Sequence, residues 1–216
     1  MYNLGITGGK SMCVRYFIQR NSEKMVPYVE KAQESPLFQR FVEKGKELVR
    51  YGEVRPTDVV HAVAFSRKGE QAVFPMRWGF QMAKGPLMVN ARVESAAAKP
   101  TFRDSWKEHR CAVPASQYFE WMHYEDPAGK KRTGDKYSIR SSDSRILWLC
   151  GLYRIEDGLP VFVILTRDAS DPVGEIHDRM PMILPERDIS EWIRPDRVPE
   201  LLLGHAIEDL VVEKTQ

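Results

Sequence analysis

Cysteine is scarce: three of 216 residues, at positions 13, 111 and 150, with no Cys-x-x-Cys pair. An odd count without that spacing indicates neither a disulfide framework nor a zinc site, so neither metal nor cofactor is expected. No apolar run approaches the roughly 20 residues that a membrane-spanning helix needs, and no signal peptide with a cleavage site stands at the start. The expected compartment is the cytoplasm, without membrane attachment. A polybasic tail is also missing. The chain carries 32 Lys and Arg against 30 Asp and Glu, a net charge of +2, so it has no segment that grips duplex DNA regardless of sequence. A nucleic-acid partner would have to meet positive charge gathered by folding into one groove. Internal repeats and interdomain linkers are absent. With 43% hydrophobic and 29% charged residues, the chain suits one globular domain with a full core.

What is present reads first as helix, then as strand. Residues 21–52 read as helical: Ser35-Pro36 is a helix start, Leu37, Phe38, Phe41, Val42, Leu48 and Val49 recur at helical spacing, and Gly52 is the expected stop. From Val59 onward, β-branched and aromatic runs alternate with turn residues. They fall at 59–65, 71–75, 87–90, 111–114, 118–124, 136–140, 146–153, 160–166 and 182–184. Short helices are expected at 96–104, 188–193 and 199–203, and a hairpin loop at 125–131. The pattern predicts an α+β single domain on a curled, barrel-like, mostly antiparallel β-sheet with peripheral helices. Cys111 and Cys150 sit in apolar runs and read as core residues. Gly5 to Ser11 imitates a phosphate-binding loop, but the spacing needs glycine where Leu4 stands and no strand precedes it.

Several segments carry chemistry: Met12-Cys13-Val14-Arg15-Tyr16, Arg77-Trp78-Gly79-Phe80, Asn90-Ala91-Arg92-Val93-Glu94, Phe119-Glu120-Trp121, Leu165-Thr166 and His177-Asp178-Arg179-Met180-Pro181. Each is weak alone. In this order the set resembles the SOS-response-associated peptidase (SRAP) family from Met12 to about Val212. That resemblance implies a sensor that binds single-stranded DNA at abasic sites and joins covalently to them. Residues 1–12 would be a leader, a cloning remnant or a mis-assigned start, and 13–216 the folded domain. A monomer is expected.

By resemblance, Cys13 is the nucleophile once the Met12–Cys13 bond is cut; the plain reading is a buried strand cysteine. Asn90 would hold the reacting sugar. Glu120, between two aromatics, would assist leader removal and shuttle protons, unless it is an outward-facing strand residue. His177 would be the general acid/base, with the Thr166 hydroxyl beside it. Arg15, Arg92 and Arg179 would meet phosphates. Pro56 would wedge beside the strand, and Trp78 would either stack on a base or fill the core. Two departures from the family pattern stand out. Val14 replaces a glycine, and Glu53 puts a negative charge where the family has an amide, near the expected phosphate path. A thiol peptidase acting on other proteins through Cys13, His177 and Glu120, or a non-catalytic single-strand binding module, are the alternatives.

Overall fold

The computed structural model describes residues 15–20, 22–143 and 145–215; Cys13, Val14 and the leader lie outside them. In chain order, the first part forms β1 (Arg15–Ile18), α1 (Val26–Glu34), α2 (Pro36–Glu43), β2 (Gly52–Val54), β3 (Val59–Phe65) and β4 (Gln71–Trp78). There follow β5 (Asn90–Arg92), α3 (Val93–Ala96), α4 (Arg103–Glu108), β6 (Arg110–Ala115), β7 (Gln117–Glu125) and β8 (Lys131–Ser141). The rest comprises β9 (Leu147–Glu156), β10 (Leu159–Asp168), β11 (Arg179–Pro181), β12 (Ile183–Leu184), α5 (Glu186–Trp192) and β13 (Leu210–Lys214). The short helix expected at 199–203 is a 3-10 helix, Pro199–His205.

Five strands close into a barrel. β4 pairs with β3, β3 with β6, β6 with β9 and β9 with β10, all antiparallel, and β10 returns to β4 in parallel. A second sheet, in the order β13-β8-β7-β1-β2, packs over one side. The α+β, barrel-like, mostly antiparallel expectation holds.

Alternation along the strands sorts the core. Val60, Ala62, Ala64, Met76, Trp78, Val113, Leu149, Phe162 and Ile164 fill the barrel and meet Tyr16, Tyr118 and Ile139 from the second sheet. The opposite faces of the same strands, including Val63, Ala112, Cys150 and Leu165, are covered by Trp106 of α4 and Trp192 of α5. Arg110 fixes those helices. Its buried guanidinium donates to the carbonyls of Trp106, Lys107, Trp192, Arg194 and Arg197, the chain-end carbonyls that helices leave without partners.

The helical reading of 21–52 holds over 26–34 and 36–43 and is corrected beyond Glu43. Ser35 does start a helix, its hydroxyl accepting from the Leu37 N–H at 3.4 Å. That helix stops at Glu43 because Gly45 takes φ +67° and the Lys46 N–H donates to Phe41 O at 2.9 Å, closing the last turn. Gly52, at φ +98°, opens β2 instead of ending a helix.

Candidate active site at the barrel mouth

β1 and β7 run antiparallel, with Arg15 opposite Phe119 and Tyr16 opposite Tyr118. Period 2 then gives β7 two characters. Tyr118 and Glu120 face the barrel, while Phe119 and Trp121 face outward. Glu120 is 1% exposed, which rules out the outward-facing alternative.

Glycine 79 delivers the next group. It ends β4 at φ +110°, and a Cβ there would lie 2.7 Å from Leu87 Cδ2. The close approach folds residues 80–88 back, with Phe80 and Met88 exchanging backbone hydrogen bonds at 2.8 and 3.0 Å. The chain then enters β5 in parallel register with β10, Asn90 opposite Ile164 and Thr166 opposite Arg92. Asn90 Oδ1 is shielded from solvent, and the buried Thr166 hydroxyl donates to Ala91 O at 3.5 Å.

His177 lies just ahead of β11 and is 3% exposed. Its Nδ1 accepts the Arg179 N–H at 3.0 Å, and Asp178 Oδ1 lies equally close. The backbone N–H calls for an acceptor at Nδ1 and the Asp178 carboxylate for a donor, so the two contacts favour different protonation states of that nitrogen. The His177 ring meets His123 of β7 edge to face, with centroids 6.1 Å apart. That contact ties the second sheet to the barrel end holding Asn90 and Thr166. His123 had not been anticipated, although it stands three residues beyond Glu120.

Two residues expected to touch DNA are buried. Trp78 is wholly buried, stacked on Phe162 at 6.2 Å and tilted against Tyr16 at 5.4 Å, with its indole N–H donating to Val89 O at 2.9 Å. No face is left for a base. Arg179 is 6% exposed, and it holds Glu94 through two bonds of 2.8 Å, Thr166 O through a third of 2.8 Å, and Asp168. Burial works against both charges, but the paired bonds raise the Arg179 pKa and hold Glu94 below its ordinary value. Arg179 is therefore a positioning residue that pins β11, and with it His177, to α3 and β10. Its partner Glu94 stands two residues after Arg92, within a segment already singled out.

Arg92 is exposed. Pro56 is half-buried in a tight turn, where the Arg55 N–H donates to Asp58 at 2.8 Å and Thr57 takes φ +79°. Arg15 is engaged by Glu53, which also accepts from Lys136 at 2.5 Å. Burial penalises the Glu53 charge, yet the bonds from Lys136 and Arg15 outweigh it and lower the pKa. Among the described residues no cluster of His, Cys, Asp and Glu could hold a metal ion, and no helix is long and apolar enough to cross a membrane.

Glu120 is thus buried beside the strand partner of Arg15, while Asn90, Thr166 and His177 lie on or next to the neighbouring strands β5, β10 and β11. A family model for SOS response associated peptidase (SRAP) matches residues 12–213. The chain belongs to the SRAP family. Curated relatives include the abasic site processing proteins YobE of Bacillus subtilis, 34% identical over 62% of this chain and 67% of that protein, and YedK of Escherichia coli, 30% identical over 56% and 55%. Abasic site processing protein HMCES of Pongo abelii is 25% identical over 62% of this chain and 48% of its own length. The chain thus spans about two thirds of the first relative and roughly half of the others. Among solved structures, a phage-related protein from Bordetella bronchiseptica superposes with a TM-score of 0.70, at 20% identity over 94% of both chains. A Bacteroides thetaiotaomicron protein does so with the same score and identity, over 94% and 92%. These two establish the fold alone.

Proposed function

We propose that this SRAP protein captures abasic sites in single-stranded DNA as a covalent adduct of Cys13, after the peptide bond ahead of Cys13 is cut. The observation that carries the reading is the placement of β1. Its first described residue, Arg15, pairs with Phe119, the neighbour of buried Glu120. Successive Cα atoms are about 3.8 Å apart, so covalent linkage keeps Cys13 within about 7.6 Å of Arg15.

The chemistry follows from an N-terminal cysteine. Its free α-amine, with an ordinary pKa near 7.7–8.0, is substantially unprotonated at neutral pH. It adds to the C1 aldehyde of the opened sugar and loses water to give a Schiff base. The thiol then adds across the C=N bond: sulfur joins C1, the nitrogen takes the thiol's proton, and a thiazolidine ring closes. While Met12 is attached, that nitrogen is an amide with a delocalised lone pair and cannot begin the sequence. Glu120 serves as the proton carrier beside the amine, His177 protonates the sugar ring oxygen as it opens, and Asn90 and Thr166 orient the sugar by hydrogen bonds.

The test is a denaturing gel of protein incubated with a single-stranded oligonucleotide bearing one abasic site, with intact mass establishing the first residue. A covalent band is expected for protein beginning at Cys13, and none with undamaged DNA or with protein retaining residues 1–12. Glu120→Gln should slow the band by about 10²–10⁴-fold. Absence of the band from protein of the correct mass would refute the reading. It would leave the thiol-peptidase and passive-binding alternatives.

A further inference from the structure

On the outward face of the second sheet, the first strands build a cage around one carboxylate. Glu53 of β2 lies opposite Phe17 of β1, and its two oxygens are divided among three cations. Oε1 binds Arg15 and lies 3.4 Å from Arg55, while Oε2 takes Lys136 at 2.5 Å. Beneath the cations is an aromatic floor. Lys136 Nζ stands 3.8 Å from the Phe119 ring centroid and 5.3 Å from that of Trp121, with Arg15 5.5 Å from Trp121. The side chains are partly open to water, at 33% for Arg15, 28% for Lys136 and 62% for Arg55.

Three cations held over buried Phe119 and half-buried Trp121, one residue away from Glu120, make a surface suited to a nucleic-acid phosphate. A carboxylate already occupies the place of the phosphate. We infer that Glu53 is a built-in competitor for the DNA backbone: it occupies a phosphate subsite made by Arg15, Arg55 and Lys136, and the strand must displace it. The inference rests on the DNA-binding part of the proposed function. A neutral side chain at 53 would take this competitor off all three cations, whereas the native residue subtracts one charge and orders the cations around itself.

Fluorescence anisotropy with an undamaged, labelled single-stranded 20-mer between 50 and 200 mM NaCl tests this, with thermal melts in parallel. E53Q should bind about tenfold more tightly at 100 mM salt. Its log affinity should fall more steeply with log salt, by about 0.7 for each phosphate newly neutralised on a single strand. E53D keeps the charge and should stay near wild type, and adding Lys136→Ala to E53Q should remove most of the gain. A folded E53Q that binds no more tightly than wild type overturns the inference. If E53Q melts early, Lys136→Ala alone decides: twofold or less lost supports a pre-occupied ammonium, and a loss of fivefold or more overturns it. Crosslinking to abasic DNA separates the two readings. Crosslinking by wild type without tightening in E53Q removes only the competitor, while tightening without crosslinking in any variant removes only the covalent function.

Discussion

Lowering the pH should destabilise this protein through one histidine that takes no part in the proposed chemistry. His61 lies at the middle of β3 on the outer face of the barrel, between Val59 and Val63 and wholly buried. Neither ring nitrogen has a hydrogen-bond partner among the described residues. Its partner across β4 is Pro75. The β3–β6 register, Val63 opposite Ala112 and Ala64 opposite Cys111, would set His61 against Pro114 if it continued. The proline ring carries no polar atom, so neither position offers the imidazole a side-chain partner. Burial alone pushes the imidazole pKa down from its ordinary 6.5 to about 4. The sign is then determined. Between these values the unfolded chain binds a proton that the folded one refuses, so stability falls as pH falls through 6.5 and levels off below 4. At pH 5 the gap spans about 1.5 pH units. At 1.36 kcal/mol per unit, that is a loss of about 2 kcal/mol relative to pH 7.5, rising to about 3 kcal/mol near pH 4. With a urea m-value of about 2–3 kcal/mol per molar, the midpoint should drop by about 0.7–1 M between pH 7.5 and 5 from this group alone. His61→Leu, an aliphatic replacement without the two unsatisfied nitrogens, should remove that part of the slope and raise stability at neutral pH. The measurement is the difference between the two proteins' urea curves across pH, in which every other titrating group cancels. Curves that stay parallel within about 0.5 kcal/mol would show that His61 is hydrated or partnered in solution, and the reasoning would fail.

Two further outcomes separate groups that look alike in sequence. Arg179→Gln should slow crosslinking by displacing His177 and lower stability by about 1–2 kcal/mol, a small loss because the freed Glu94 and Asp168 are largely in water. It should leave the salt dependence of strand binding unchanged, whereas Arg92→Ala should flatten that slope by about 0.7. Equal flattening in both would return Arg179 to the phosphates. Trp78→Ala should cost about 3–5 kcal/mol in a denaturant titration, as removal of a large buried ring does. A change within about 0.5 kcal/mol would mark it as a surface residue after all.

Local rules found most strands from Val59 onward, because turn residues and β-branched runs are short-range signals, but they missed β11 and β13 and met β5 only at Asn90. The same rules placed the Ser35-Pro36 helix start, the 125–131 hairpin, and Cys111 and Cys150 in the core. The order of motifs from Met12 to Pro181 was sufficient for the family. Which way a side chain faces was a different matter. β10 is buried at eight consecutive positions, since a closed barrel clad in helices covers both faces of its strands. Alternation therefore vanishes from β10, whereas on β4 buried Met76 and Trp78 flank half-buried Arg77, a period-2 sign that Trp78 points inward. Partners across long separations were equally illegible. Glu53 meets Arg15 38 residues away and Lys136 83 residues away, and Arg179 meets Glu94 across 85. Charge type shows in the sequence, but whether an arginine is left for phosphate depends on which carboxylate the sheet registers bring beside it. Only the tertiary structure decides that, because ion pairs act over a few ångströms of space and not along the chain.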